Sequence, residues 1–362
     1  MQQIISLEQS YELRPDTKVE SKSEFVLQVK EKNLWDGIQL VYQFNQDDVY
    51  FTELEVIPNS ENVLLEIILP TEKKEIRIKS FVLDSPKKIQ FIFSPMYNAN
   101  SISLRMSSYS NYSTGKIVIK ELKTSDLFPI LDHDDLIKKT KLLGPWFHQI
   151  NLDGIKTRLV NSTNSPSRPE GFTEYFTEQD FIDNPIWIWS KFEDFLPELK
   201  GLNVLDVACN AGFYSFELAK KGANVIGIDN SYEDIVRAKF AKKIMEIKNV
   251  NFEIVNVDDV NEELNQKFDL VLCLGLLYHV EDPKSVINKI ANLGDSVIFE
   301  TIANVNSQEE ELINNRSITS DGYVPTVPWL KNAFKEAGFT EITQITNPDF
   351  PRVVFKCRKN LA

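Results

Sequence analysis

The fold is decided by one stretch, Val204-Leu205-Asp206-Val207-Ala208-Cys209-Asn210-Ala211-Gly212-Phe213, and by a second apolar run, Val225-Ile226-Gly227-Ile228-Asp229. Each run predicts a buried parallel strand, and the small residues up to Gly212 predict a tight turn into a helix. An acid lies at the end of each strand, and Asp206 and Asp229 are 23 residues apart. That spacing holds a turn, a helix and a short strand, so the sequence predicts one half of a nucleotide-binding sheet.

The rest of the second half continues the alternation. Helices are predicted over 212–221 and 231–248, and strands over 251–257, 268–274 and 297–301. Alternation of this kind predicts an α/β Rossmann-like, doubly wound parallel sheet. Ligands of such sheets bind at the carboxyl ends of the strands, so the loops that follow the strands hold the candidate site.

The first turn lacks the glycine triplet that a dinucleotide requires. It offers Ala208, Asn210 and Gly212 instead. The motif resembles the first motif of class I S-adenosylmethionine-dependent methyltransferases, in which an acid precedes a small-residue turn beside the methionine part of the cofactor. The resemblance departs from the usual glycine-rich pattern at Ala208 and Asn210. It implies S-adenosyl-L-methionine as cofactor, with Asp206, Ala208, Asn210 and Gly212 around it.

The end of the second strand is the next cofactor candidate. The resemblance places Asp229, followed by Asn230, against the ribose hydroxyls of the cofactor. The alternative is that Asp229 caps the helix that begins near Ser231, because Asp, Asn and Ser are all good caps. Two strand-end acids in one alternating pattern favour the cofactor role.

Two further strand ends complete the cofactor set. The resemblance implies that Val257 and Asp258 meet the adenine, while Leu274, Gly275 and Tyr278 follow the fourth strand beneath the reacting sulfonium. The spacing of these residues does not by itself assign any of them to the cofactor. These assignments are expectations that the resemblance supplies.

A narrower resemblance lies in Leu274-Gly275-Leu276-Leu277-Tyr278-His279. The segment resembles the bacterial family that carboxymethylates the wobble uridine of transfer RNA, and also the ordinary methyltransferase relatives of that family. Pro145-Trp146 and Gly154-Ile155-Lys156-Thr157 match it too, so the resemblance covers residues 144–339. The family places a Lys or Arg ahead of the nucleotide domain to recognise a carboxylated cofactor. Residues 146–151 contain neither, which favours ordinary S-adenosylmethionine.

Charge argues against a nucleic-acid partner. The chain has 40 Lys and Arg against 53 Asp and Glu, a formal net charge of −13. Residues 1–125 carry −2 of it and the remainder −11. Phosphate neutralisation supplies most of the affinity for nucleic acids, so an RNA enzyme should present a basic face. The cluster Lys239, Lys242 and Lys243 is typical of a solvated helix face, and transfer RNA stays the alternative to a saccharide or related small-molecule acceptor.

The candidate catalytic residues follow from the chemistry. Methyl transfer needs an acceptor held close and shielded from water, and a hydroxyl acceptor must also lose a proton. His279, directly after Tyr278, is the first candidate base, with a structural role in its loop as the alternative. His148 is the second, because its segment would fold over the cofactor. Glu300, at the end of the fifth strand, is a candidate acceptor ligand or second base, or the partner of a loop amide.

Residues 1–125 have a different sequence pattern, with seven or eight short β-rich runs separated by turn residues. This pattern predicts an all-β sandwich. The closing run, 115–122, resembles the last strand of jelly-roll carbohydrate-binding modules. Glycan binding, subunit association and docking on the catalytic domain stay open as roles. The aromatic candidates for glycan contact are Trp35, Tyr42, Tyr50, Tyr97, Tyr109 and Tyr112.

Residues 126–200 predict a helical and loop connector between that module and a methyltransferase domain over 201–362. Residues 161–171, with two prolines and several serines, predict a loop, and aromatic residues follow it. A lid over the cofactor and a collar packed on the sheet are the two interpretations. Phe172 to Phe176 would line the acceptor pocket, whereas Trp187, Trp189 and Phe192 are expected in the core.

Other features narrow the compartment and chemistry. The three cysteines, Cys209, Cys273 and Cys357, are too few and too scattered for a disulfide framework or a Cys-rich zinc site. A metal-dependent O-methyltransferase stays open because strand-end acids are plentiful, but no His or Asp cluster singles out a site, and no metal is expected. No leader pattern or membrane-spanning run is found, so a cytoplasmic protein without a membrane partner is expected.

Together the patterns predict O-methylation of a saccharide or related small molecule. A transfer RNA wobble-uridine (carboxy)methyltransferase is the first alternative. A glycan-binding protein whose methyltransferase fold binds the cofactor without turnover is the second.

Overall fold

The computed structural model describes residues 11–13, 18–21, 24–29, 35–41, 45–46, 48–99, 101–108, 112–157, 184–314, 322–346 and 352–360. The chain divides into two compact units, residues 1–139 and 140–362. Within the described ranges, no helix has both the length and the apolar character needed to cross a membrane.

The first unit is built from antiparallel strands. Its described residues form two five-stranded sheets, with the orders β1-β4-β9-β6-β7 and β2-β3-β10-β5-β8. The strands are β1 Tyr11–Leu13, β2 Lys18–Ser21, β3 Glu24–Val29, β4 Trp35–Val41, β5 Tyr50–Pro58, β6 Val63–Pro70, β7 Glu75–Leu83, β8 Lys87–Phe93, β9 Ser101–Ser107 and β10 Gly115–Asp126. The helix α1, His133–Leu142, follows them.

The strands form because apolar side chains recur with the period of a pleated strand. In β5, Leu54 and Val56 are fully buried while Glu55 between them is half-exposed. The predicted all-β fold class of this part of the chain is confirmed. The resemblance of the closing strand to a carbohydrate-binding module stays a prediction.

The aromatic residues proposed for glycan contact fall in different surroundings. Tyr50 is buried and stacks on Phe93 at a centroid distance of 5.3 Å, so it belongs to the core. Tyr97 is half-exposed and lies 4.4 Å from the ammonium of Lys73. Tyr112 is half-exposed. Tyr42 and Tyr109 lie outside the described residues, and for Trp35 only the backbone is described.

The second unit contains the predicted doubly wound sheet, and this fold class is confirmed. Its order is β15-β14-β13-β16-β17-β21-β20, in which β21 runs antiparallel to both of its neighbours and the other six strands are parallel to one another. The strands are β13 Asn203–Val207, β14 Asn224–Asp229, β15 Val250–Ile254, β16 Leu270–Leu274, β17 Ser296–Ile302, β20 Glu341–Gln344 and β21 Arg352–Arg358. Two hairpins flank the sheet, β11 Asn151–Leu152 with β12 Ile155–Lys156, and β18 Leu312–Asn314 with β19 Tyr323–Pro325.

Helices cover the sheet and bury its apolar side chains. They are α2 Asn184–Phe192, α3 Phe213–Lys220, α4 Tyr232–Ile244, α5 Val260–Leu264, α6 Pro283–Ala291 and α7 Val327–Glu336. The predicted helix over 231–248 thus ends earlier, and β15 ends three residues before the predicted strand. The side chain of Asn256 accepts a hydrogen bond from the amide of Asp258 and so begins a helical turn there. In α2, Trp189 and Phe192 are buried as expected, and Trp187 is half-buried.

Candidate functional site

The turn after β13 is the first part of the candidate site. Ala208, Asn210 and Gly212 have φ angles of 59°, 51° and 89°. Left-handed conformations favour Gly and tolerate Asn, which explains the small residues of this turn. A Cβ atom on Gly212 would also lie 2.6 Å from the ring of Phe252. The turn therefore needs glycine at its last position. Ala208 adopts a left-handed conformation, which is energetically unfavourable for alanine.

Asp229, at the end of β14, holds this turn in place. One carboxylate oxygen accepts the amide of Asn210 at 2.9 Å, and the other accepts the amide of Ser231 at 2.8 Å. Burial raises the pKa of Asp229, and these backbone hydrogen bonds oppose the rise. The cap of α4 is the side chain of Ser231, which accepts the amide of Asp234. Asp229 thus couples the turn to the start of α4.

Asp206 lies beneath the turn and is 1% exposed. The hydroxyl of Ser215 donates a hydrogen bond of 2.6 Å to its carboxylate. Burial raises the pKa of Asp206 to about 7, with Asp229 adding to the rise and Ser215 opposing it. This acid is therefore poised between its neutral and charged forms near neutrality.

A buried ion pair lies near the ends of β17 and β21. Nε and Nη2 of Arg352 lie 2.8 Å and 2.9 Å from the two carboxylate oxygens of Glu300. Both side chains are buried. Burial works against the charge of Arg352, but Glu300 and Tyr278 outweigh it and raise the pKa of the guanidinium. The predicted strand-end acid Glu300 therefore has a charged partner that the sequence analysis did not anticipate.

Tyr278 connects this ion pair to the loop after β16. Its side chain is hydrogen bonded to Arg352, whose guanidinium carbon lies 5.7 Å from the phenol ring centre. A Cβ atom built on Gly275, at φ 70°, would lie 3.6 Å from the Tyr278 hydroxyl and 3.8 Å from Nη2 of Arg352. Glu300, Arg352 and Tyr278 thus converge above Gly275.

His279 extends the same cluster to the surface. Its ring centre lies 4.2 Å from that of Tyr278, with 40° between the ring planes. Partial desolvation lowers the pKa of His279, and the positive charge of Arg352 lowers it further. The imidazole is therefore neutral at physiological pH and able to accept a proton.

His148 reaches the site on a short segment that we call the strap, residues 143–157. Its ring is buried, with centroid distances of 5.6 Å to Tyr214 and 6.3 Å to Phe213, both in the first turn of α3. The hydroxyl of Thr157 donates to the carbonyl of His148 at 3.0 Å and so closes the hairpin of the strap. The strap therefore lies against the first turn of α3. That it folds over a cofactor stays a prediction.

The remaining predicted cofactor residues lie on the same edge of the sheet. Leu274 ends β16 and is buried. Val257 is half-buried in the turn after β15, whereas Asp258 and Asn230 are exposed. Asp258 pairs with Lys289 at 2.7 Å, so a contact with the cofactor competes with that ion pair.

The sequence analysis missed Tyr214, Ser215 and Arg352. The first two directly follow the recognised turn, so a helix beginning at Phe213 could have indicated them. Arg352 precedes a short apolar run, Val353 to Phe355, but nothing local marks it as part of the site. The predicted loop 161–171 and the segment Phe172 to Phe176 lie outside the described residues. Among the residues that are described, no group of three His, Cys, Asp or Glu side chains is arranged to hold a metal ion.

Part of the chain is similar to known proteins. Residues 198–329 match a family model described as a methyltransferase domain. A tRNA U34 carboxymethyltransferase of Campylobacter fetus is 30% identical over 181 residues, which are 47% of this chain and 63% of that protein. A ubiquinone biosynthesis O-methyltransferase of Neisseria meningitidis is 30% identical over 112 residues, 30% of this chain and 47% of that protein. The chain thus spans less than two thirds of the length of either relative.

One solved structure is also similar to part of this chain. The N-terminal domain of EvdMO1, crystallised in the presence of S-adenosylhomocysteine and D-fucose, superposes with a TM-score of 0.47 at 20% sequence identity. The alignment covers 64% of this chain and 98% of that one.

Residues 198–329 of the second unit are therefore similar to a methyltransferase domain. The cofactor that the sequence resemblance implies is S-adenosyl-L-methionine. The residues at the turn fit this group. Oδ1 of Asn210 is buried and has no hydrogen-bond partner in the described part of the chain, so its capacity to accept a hydrogen bond is unused there. Asp206 beneath the turn and Asp229 beside it supply carboxylates for the polar groups of such a ligand.

Proposed function

We propose that the chain transfers a methyl group from S-adenosylmethionine to a hydroxyl oxygen of a saccharide or related small molecule. The observation that carries this proposal is His279, an exposed imidazole with a lowered pKa beside Tyr278 at the carboxyl end of β16. A hydroxyl acceptor must lose its proton, and a base that is neutral at physiological pH suits that task.

The roles of the other residues follow from their positions. The bound cofactor supplies an electrophilic methyl group. We assign Asp206 and Asn210 to the methionine part of that cofactor and Asp229 to its ribose. Tyr278, held by Arg352, orients the acceptor oxygen near His279. His148 and the strap cover the start of α3 and help to exclude water from this region.

The charge of the site favours the ordinary cofactor over a carboxylated one. Among the described residues of this cluster, Arg352 is the cation closest to Tyr278, and its charge is already matched by Glu300. In the related family, the segment that contains His148 supplies a cation. In this chain, His148 is packed among aromatic rings. This arrangement supports transfer of a methyl rather than a carboxymethyl group.

Transfer RNA is the second candidate acceptor. The names of several relatives favour it, among them the Campylobacter fetus protein that is 30% identical over 181 residues. The net charge of −11 over residues 126–362 opposes it, because RNA binding relies on neutralising phosphates. The lysines on α4 include Lys242, which donates to the side chain of Asn251 at 3.2 Å. Cofactor binding without turnover is the third candidate.

Incubation with methyl-labelled S-adenosylmethionine separates these candidates. The acceptors are a pool of nucleotide sugars and oligosaccharides in one arm and bulk transfer RNA in the other. We expect label in the sugar arm that is lost in Asp229→Ala. The matched control is Asp269→Ala, which removes an exposed acid at the opposite end of the same sheet, where it accepts the amide of Asn203. Label in RNA would replace the proposal by the second candidate, and label in neither arm would favour the third.

A further inference from the structure

The geometry points to Glu300 and Arg352 as a positioning pair that acts on His279 through Tyr278. This inference rests on the proposed role of His279 as the base, and it extends that role to two residues on other strands. Neither residue of the pair is proposed to touch the proton that is transferred.

The pair is built to be rigid. Nη2 of Arg352 donates a hydrogen bond of 2.9 Å to one oxygen of Glu300, and Nε lies 2.8 Å from the other oxygen in an ion-pair contact without hydrogen-bond geometry. Both side chains are buried. Their strands are neighbours, since Glu300 lies opposite Val354 and Ile302 lies opposite Arg352. A two-pronged contact between a planar guanidinium and a carboxylate fixes orientation as well as distance. The position of the guanidinium is therefore set by the sheet.

The guanidinium in turn fixes the phenol of Tyr278. Arginine has only donors, so in the hydrogen bond between these side chains the phenol oxygen accepts. The guanidinium also lies near the ring of Tyr278, at 5.7 Å from its centre, which limits rotation of the phenol.

His279 is coupled to this arrangement by contact and by charge. Its ring packs on Tyr278 at 4.2 Å, so the phenol fixes one side of the imidazole. The positive charge of Arg352 disfavours the imidazolium form. The pair therefore keeps the imidazole both in place and neutral.

Several other charged groups around the turn pair elsewhere. The elements packed against residues 277–279 are β17, β19 and α6. On β17 the acid is Glu300 itself, and β19 contributes Tyr323. On α6, Lys284 pairs with Glu336 and Lys289 pairs with Asp258. Glu281 and Asp282 follow in the chain, and Asp282 accepts the amide of Ser285 as the cap of α6.

The test is an NMR titration of the His279 imidazole in the full-length protein. The chain has three histidines, so the signal lost in His279→Gln identifies the resonance. We expect Arg352→Met to raise the pKa of His279 and Glu300→Gln to lower it, because the first removes the cation and the second leaves it uncompensated. Opposite shifts are not expected from a general loss of structure.

Two further variants keep this test decisive. Lys356→Met removes a cation from the same strand, at a side chain that donates to the carbonyl of Phe195, and should leave the pKa of His279 unchanged. The double variant Glu300→Gln/Arg352→Met removes both charges without burying one alone. It should raise the pKa of His279 by less than Arg352→Met does, because no uncompensated carboxylate remains.

Activity provides the second readout. In the double variant we expect the acid limb of the kcat/KM profile to move to higher pH and kcat to fall roughly tenfold or more, with affinity for S-adenosylhomocysteine retained. An unchanged His279 pKa in the folded double variant would overturn the inference. A shifted pKa in a protein that transfers no methyl group would leave the coupling intact and refute the proposed function.

Discussion

At the scale of single residues, Asp206 departs furthest from an ordinary exposed carboxylate. Its folded pKa of about 7 is raised above the ordinary value of 3.8, mainly by burial. A raised acid pKa means that ionisation opposes folding. The free energy of unfolding of the ligand-free protein should thus fall as pH rises from 3.8 to about 7, and this contribution should stay constant above that range.

The raised pKa of Asp206 predicts that cofactor binding depends on pH. If the charged form of Asp206 receives the ammonium group of the cofactor, affinity should fall by up to about tenfold for each pH unit below 7. Calorimetric titration with S-adenosylhomocysteine at pH 6, 7 and 8 measures this change. Asp206→Asn is the matched control and should bind more weakly than the parent at pH 8. Equal affinity of the parent at pH 6 and 8 would contradict the assignment.

The residue scale also separates what sequence could predict from what it could not. Asp206, Asp229 and Gly212 are recognisable because the strand, the turn and the acid are adjacent in the chain. Arg352 is not, because its role depends on pairing with Glu300 across two antiparallel strands, 52 residues apart in sequence. Charge pairing at long range leaves no local pattern.

At the scale of elements, two hydrogen bonds from side chains to backbone carbonyls anchor the strap. The indole of Trp146 donates to the carbonyl of Thr140 at 2.8 Å, and Nε of Arg237 on α4 donates to the carbonyl of Leu143 at 2.8 Å. Arg237 is buried and also pairs with Asp234 at 2.6 Å. The strap is therefore tied to α4, the helix that begins beside Asp229.

Removal of this tie should loosen the strap. Arg237→Met should lower the free energy of unfolding by roughly 2–4 kcal/mol, because a buried carbonyl and Asp234 lose a charged donor. Lys220→Met is the control, since Lys220 pairs with Glu217 on an exposed face and should cost less than about 1 kcal/mol. Urea denaturation measures both values. Similar losses in the two variants would contradict the anchoring role of Arg237.

Elements were predicted well where their patterns were periodic and poorly where they were short. The strands β13, β14, β16 and β17 were recognised because they are buried apolar runs between turns. The closing strands β20 and β21 were not predicted, since β20 is only four residues long with no residue fully buried, and β21 carries three basic residues among its apolar ones.

At the scale of the whole molecule, the change in sequence pattern along the chain predicted two kinds of architecture. Short β-rich runs without helical periodicity indicated the first, and alternating strands and helices indicated the second. The compact units meet at residues 139 and 140, within α1, whereas composition placed the first module at 1–125 and a connector after it. A helix that spans such a boundary leaves no composition shift at the boundary itself.

The last prediction is that the second unit folds and binds its cofactor alone. The main cluster of buried apolar side chains around its sheet lies between Leu205 and Cys357, so the fragment 131–362, which keeps α1 and its cap Asp132, contains that core whole. We expect one cooperative thermal transition, and about 2.7 kcal/mol of added stability at a concentration of S-adenosylhomocysteine one hundred times its Kd. The same fragment with Asp229→Ala should unfold cooperatively but gain much less from the ligand. A fragment without a cooperative transition would show that residues 1–130 are required for the fold of the second unit.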